Sequence, residues 1–261
     1  MRSYGCTLRW LLPILSILLT ASSMAVQDAA KPAALDTTAL IKQAESGDAA
    51  AQWLLGYAYE HGEGVAKDEV EAIHWYRKAA EQGDAAAQNS LGWAYANGEG
   101  VAKDKVEAVR WYRKAAEHGD AAAQYSLGVA YDLGEGTPQS YAEAVSWYRK
   151  AAEQGKAAAQ YSLAQHYVYG RGVAEDAVEG VRWCRKAAEQ RYAMAQFFLG
   201  MLYADGKRIP KDEAEAYFWL NLYGALPQKR DKVGAKLTLQ KRLEIQERCR
   251  KWAEAHPLHH E

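Results

Sequence analysis

The sequence predicts an all-α solenoid of five tandem helix-turn-helix repeats with capping helices at both ends, and three observations carry that prediction. Trp75, Trp111, Trp147, Trp183 and Trp219 recur every 36 residues. Gln52, Gln88, Gln124, Gln160 and Gln196 keep the same register, as do the leucines beginning at Leu55, the tyrosines beginning at Tyr59 and the glycines beginning at Gly62, with no insertion between copies. Within each copy two stretches place apolar residues at helical spacing, and neither can bury its apolar face alone, so stability has to come from stacking.

Residues 1–25 read as a targeting segment. Arg2 and Arg9 make a basic start, Trp10 to Leu19 form an apolar run interrupted by Pro13 and Ser16, and Ser23-Met24-Ala25 supplies the small residues of a cleavage site. The run is shorter than the ~20 apolar residues a stable membrane span needs. Cys6 precedes the run, which excludes it as a lipidated cysteine. The expected product is soluble and periplasmic or secreted. Residues 26–36 follow as a linker, and 37–47 as an N-terminal capping helix with Ala44 and Gly47 in repeat register.

The five repeats occupy 48–225. The first helix of a repeat starts at Asp48, Asp84 or Asp120, whose carboxylates can accept from free first-turn amides. Ala51, Leu55, Ala58 and Tyr59 fall on one face, with Gly56 and its equivalents (Ala164 in the fourth copy) at its flank. A Gly-x-Gly loop ends the helix. The second helix opens on Asp68-x-x-Glu71, a capping-box pattern repeated at Asp104, Ser140, Asp176 and Asp212. Its apolar face is Ala72, Trp75, Tyr76 and Ala79. Gly83, Gly119 and Gly155 then suit a left-handed helix stop, and Arg191 in that register suggests a different turn. The fifth copy is atypical, with Arg208, Leu220, Asn221 and Leu222 replacing glycine, tyrosine, arginine and lysine. Residues 226–261 read as C-terminal capping helices and tail, with Leu239, Leu243, Cys249 and Trp252 as their apolar residues.

The run Ala-Glu-Gln-Gly-Asp-Ala-Ala-Ala-Gln-x-x-Leu-Gly-x-x-Tyr, then Gly-x-Gly-Val, then Ala-x-x-Trp-Tyr-Arg-Lys-Ala, resembles the Sel-one-like repeat family, a relative of tetratricopeptide repeats, across 44–223. The resemblance implies a right-handed α/α superhelix that serves as an adaptor or scaffold, in bacteria often an exported one.

Charge excludes some functions. The chain carries 32 basic and 33 acidic side chains, and removal of 1–25 would leave 30 against 33, with no basic field for nucleic acid. The repeated pairs Arg77-Lys78, Arg113-Lys114, Arg149-Lys150 and Arg185-Lys186 sit at helix C-termini, where cations offset the macrodipole, and read as solvated charges. Cys184 and Cys249 are too distant for a disulfide framework and lack metal-ligand companions. His61, His74, His118 and His166 occupy different registers, and the His256–His260 tail reads as a frayed end, so no metal and no cofactor are assigned. Some exported relatives of the family have been associated with β-lactam binding or hydrolysis, but no Ser-x-x-Lys exists here. Ser146 comes closest with Arg149, whose guanidinium cannot serve as a base. The chain is therefore expected not to be an enzyme.

These readings describe an exported adaptor for a protein or peptide ligand. The alternatives are an exported enzyme or cell-wall-binding protein with an unrecognised site, and an architectural spacer. The expected binding groove lies opposite the core face of the first helices, along offsets 53, 57, 60 and 61. It comprises Trp53, Tyr57, Asn89, Trp93, Asn97, Tyr125, Tyr161, Gln165, Tyr169, Phe197 and Met201. Aromatics there could anchor a ligand and amides could pair with its backbone. By the same reasoning, several of these rings could instead only fill space between neighbouring first helices.

Overall fold

A computed structural model describes residues 37–257. The targeting segment, the linker, and His259 and His260 of the tail lie outside the described residues.

Among the described residues there are thirteen helices and no strand. A lone helix α1 (Thr37–Glu45) precedes five helix pairs: α2 (Ala49–His61) with α3 (Glu69–Glu81), α4 (Ala85–Asn97) with α5 (Lys105–Glu117), α6 (Ala121–Leu133) with α7 (Tyr141–Glu153), α8 (Ala157–Tyr169) with α9 (Ala177–Glu189), and α10 (Ala193–Asp205) with α11 (Glu213–Tyr223). Helices α12 (Pro227–Gly234) and α13 (Leu239–Ala255) close the array. Each helix packs on the next along the chain as far as α11, and both closing helices pack on α11.

Local sequence sets these boundaries. Asp48, Asp84 and Asp120 accept from the amides of Ala51, Ala87 and Ala123 and so cap the first helices. The second helices carry half of the expected capping box. Asp68 Oδ1 accepts from Val70 and Glu71, but the Asp68 amide donates to the carbonyl of Tyr59, not to a glutamate side chain. The same backbone bond recurs from Asp104 to Tyr95, Ser140 to Tyr131, Asp176 to Tyr167 and Asp212 to Tyr203. It ties the second helix of each repeat to its first.

The register glutamines join one repeat to the next. Each is buried, and its side-chain amide donates to the carbonyl eight residues earlier: Gln52 to Ala44 at 3.0 Å, Gln88 to Ala80 at 3.1 Å, Gln124 to Ala116 at 3.2 Å. Gln160 and Gln196 repeat the bond to Ala152 and Ala188. These carbonyls belong to the last turn of the preceding helix, where each otherwise accepts only from the backbone of the turn that follows. In three junctions a second glutamine completes the ladder: Gln82 donates to Gln52 Oε1, Gln154 to Gln124 Oε1 and Gln190 to Gln160 Oε1, each at 2.8 Å. His118 holds that register beside the second repeat, and Gln88 Oε1 is left buried without a partner.

The Arg-Lys pairs are not simply solvated charges, which corrects the sequence reading. Arg77, Arg113, Arg149 and Arg185 donate to the hydroxyls of Tyr95, Tyr131, Tyr167 and Tyr203 in the following repeat. Lys78, Lys114, Lys150 and Lys186 lie over the rings of Trp75, Trp111, Trp147 and Trp183 of their own helix, at 3.9–4.0 Å from the ring centres. The turn at Arg191 is also corrected. Its φ of 61° is the same left-handed conformation that the glycines adopt, so the turn is conserved in geometry and strained in composition. The guanidinium is held by the carbonyls of Ala253 and His256 and lies over Trp252.

At the C-terminal end, Leu239 and Leu243 are exposed, whereas Ile245 is buried at 4%. Trp252 stacks on His256 and meets Trp219 edge-on. Cys184 is buried and Cys249 half-buried, and both are free thiols.

Candidate functional site

Two faces of the array differ in chemistry. The five first helices contain no lysine or arginine, and their only carboxylates are Glu60, Asp132 and Asp205. The second helices carry the Arg-Lys pairs and most of the remaining repeat charge. The first helices thus contribute rings and amides but no cations of their own.

The structure divides the expected groove residues into three groups. Asn89 and Tyr125 are buried, at 8% and 6% exposure. Tyr125 lies against Tyr148 with ring centres 5.8 Å apart, and burial pushes its hydroxyl well above the usual tyrosine range. Tyr148, on the second helix of the same repeat, and Ser162, on the next first helix, lie against it, contacts that a single helix's periodicity cannot reveal. At the C-terminal end Phe197 and Met201 are half-covered: Tyr223 packs on Phe197 at 5.1 Å, and Lys229 Nζ sits 5.0 Å from that ring and 3.9 Å from Met201 Sδ. Tyr161 is half-buried beside Tyr192 and accepts from Gln165 at 3.0 Å. Tyr169 is exposed but flanked by Arg171 and Arg208.

The first two repeats carry the rest of the stripe. Trp53, Tyr57 and Trp93 are half-buried, like Tyr161, and Asn97 is exposed. Trp53 reaches across from α2 to donate to Ser90 Oγ on α4 at 3.3 Å. On α2, Tyr57 stacks on His61 with ring centres 4.0 Å apart. On α4, the Trp93 indole donates to Glu99 Oε2 at 3.3 Å. Burial raises the pKa of the Tyr57 hydroxyl, and the charges of Glu63 and Glu60 raise it further. Sequence reasoning missed this carboxylate rim, although Glu63, Glu99 and Glu135 keep the repeat register and could have signalled it.

Other clusters are closed or engaged. His166 is 3% exposed, with Nδ1 at 2.8 Å from the Arg171 carbonyl and Nε2 at 3.4 Å from Asp132, beneath Tyr148. It joins two repeats where no substrate can reach. A cleft of about 460 Å³ between α9 and the loop before α11 is lined by Val178, Arg185, Ile209 and Pro210 among others. Its three cations are already engaged, Arg182 with Glu179, Arg185 with Tyr203 and Lys186 over Trp183. Among the described residues no group of histidine, cysteine and carboxylate side chains could hold a metal, and no helix is long and apolar enough to cross a membrane.

Comparison with known proteins agrees with the architecture. The Sel1 repeat model matches five times, at 49–84, 85–120, 121–156, 157–192 and 193–222. The chain is similar to the crystal structure of c5321, a protective antigen of uropathogenic Escherichia coli strains displaying an SLR fold, at 37% identity and a TM-score of 0.76. That match covers 83% of this chain and 48% of the antigen, so the chain spans about half the antigen's length. It is also similar to a Sel1 repeat protein from Oxalobacter formigenes, at 34% identity and a TM-score of 0.70, over 95% of this chain and 97% of the other. No curated protein matches the chain.

Proposed function

The chain belongs to the Sel1 repeat family, and on that premise we propose that it is an exported adaptor whose first-helix face binds a protein or peptide ligand. The family's helical-repeat scaffold is commonly used for protein interaction. One observation carries the reading to a surface: half-buried Trp53, Tyr57 and Trp93 stand on the face of five helices that have no lysine or arginine. Large amphipathic rings with few rotatable bonds are the side chains that anchor protein interfaces. Export rests on the basic start, short apolar run and small-residue site of 1–25.

Site-specific photo-crosslinking in the producing cell tests the surface. A benzophenone side chain at Asn97, on the first-helix face, should capture a discrete partner. The same group at Arg110, exposed on α5, should not. Equal capture at both positions, or capture from Arg110 alone, would overturn the reading. Sequencing of the exported product should begin at Val26.

A further inference from the structure

We infer that the first two repeats form a seat for a cationic side chain, so that the ligand is a peptide segment presenting arginine or lysine to Trp53, Tyr57 and Trp93. This rests on the first-helix face being the binding face, and adds the partner's chemistry.

Three independent features converge there. The first is the pairing of rings with carboxylates. Glu60 and Glu63 act on the Tyr57 hydroxyl, and Glu99 accepts from the Trp93 indole. A carboxylate on the indole N–H makes the ring's face more electron-rich, and a cation over such a face is attracted by the ring quadrupole. All three carboxylates are half-buried, which strengthens their field relative to fully solvated ones.

The second is an unspent hydrogen-bonding group. Asn89 is 8% exposed and its Oδ1 has no partner. It sits on α4 one turn before Trp93, adjoining Ser90, which Trp53 contacts. A buried acceptor left unpaired is destabilising, a penalty that an N–H donor reaching it would remove. Guanidinium and ammonium groups are donors with no acceptor capacity.

The third is that the nearby cations among the described residues are already engaged elsewhere. Among the ion pairs of the described residues, only His61 approaches Glu60, at 3.9 Å, and its ring is stacked on Tyr57. Tyr76 donates to Glu60 but brings no charge. Lys67, whose charge senses Glu99 and Glu60, is paired with Glu69 at 2.9 Å. The wider field has the same sign: residues 37–120 carry 9 basic and 14 acidic side chains, whereas 193–257 carry 12 and 8. A basic segment is therefore steered to the N-terminal half.

The test uses the full exported protein and three acetylated, amidated alanine-based nonapeptides that differ only in three positions, filled by arginine, glutamine or glutamate. Titration is followed by the NMR signals of the Trp53 and Trp93 indole N–H groups, at low and at physiological salt. The arginine peptide should shift both signals and bind about tenfold more tightly than the glutamine peptide, and the glutamate peptide should bind most weakly. The preference should shrink with salt. The isosteric Glu63→Gln/Glu99→Gln variant should lose most of it, and Trp93→Ala should lose it with the indole contact. Equal affinity for the arginine and glutamine peptides would overturn the cationic seat and leave the binding face standing. Shifts in neither indole would also overturn the seat, while crosslinking from Asn97 would still report on the face.

Discussion

The ring of Tyr148 occupies the space that a side chain on Gly128 would need: a Cβ there would lie 2.6 Å from the ring's Cδ1. Gly56 meets Tyr76 and Gly92 meets Tyr112 in the same way, at 2.6 and 2.5 Å. In the fourth repeat Cys184 replaces the ring and Ala164 replaces the glycine, both fully buried. Gly180 in turn accommodates Val168, whose Cγ2 would lie 2.5 Å from a Cβ at that position. Two pairs of substitutions inside one repeat therefore conserve volume.

Gly128→Ala should destabilise the protein by about 1–3 kcal/mol, because overpacking against Tyr148 outweighs the better helix propensity of alanine. Adding Tyr148→Cys should recover part of the helix α6–α7 packing, as the natural Ala164–Cys184 pair does. Melting curves of the single and double variants measure this. A double variant whose loss equals the sum of the two single losses would show that the residues do not compensate each other.

His118→Gln should stabilise by about 0.5–1.5 kcal/mol, since it supplies the donor that Gln88 Oε1 lacks and restores the ladder seen at Gln82, Gln154 and Gln190. The converse change, Gln154→His, should destabilise. Chemical denaturation with unchanged m-value is the readout.

Arg191→Gly removes a left-handed non-glycine residue worth about 1–2 kcal/mol of strain, but also removes the contacts to Ala253, His256 and Trp252. The global melting temperature should therefore change little, while hydrogen exchange at 250–256 accelerates. Unchanged protection there would show that the guanidinium does not hold α13 in place.

Alkali should unfold the array. Burial raises the pKa of Tyr76, Tyr112, Tyr125, Tyr148 and Tyr161 well above the ordinary value near 10, and pushes the Cys249 thiol up to about 11 and Cys184 higher still. A raised folded pKa contributes stability that is complete below the unfolded value and is lost as pH rises towards the folded one. Stability should fall as pH climbs past about 9–10. Spectrophotometric titration should show one group of tyrosines ionising normally and a second only on unfolding. At neutral pH a disulfide reagent should reach Cys249 slowly and Cys184 not at all before unfolding. Simultaneous, rapid reaction of both thiols would contradict their placement.

The helices were readable because one pattern is written five times: the 36-residue period, the aspartate caps and the glycine stops each have a local physical cause. What was not readable depends on neighbours. Tyr125 stands in the same register as Trp53, yet one is core and the other half-buried, because Tyr148 and the adjoining first helix close over it. The Arg77–Tyr95 bond joins residues 18 apart whose meeting follows from how repeats stack, not from the period itself. Leu239 and Leu243 looked like cap residues from hydrophobicity, but α13 turns Ile245 inward instead.

Calorimetric titration of the crosslinked partner, once identified, into wild-type protein and the Trp53→Ala/Trp93→Ala variant tests the central claim most directly. The variant must first match wild type in helical content and melting behaviour, which Tyr125→Ala, emptying core, would not be expected to do. Each lost anchor should weaken binding by about 1–2 kcal/mol, so the double variant should bind at least about thirtyfold less tightly. Unchanged affinity would contradict a first-helix binding face.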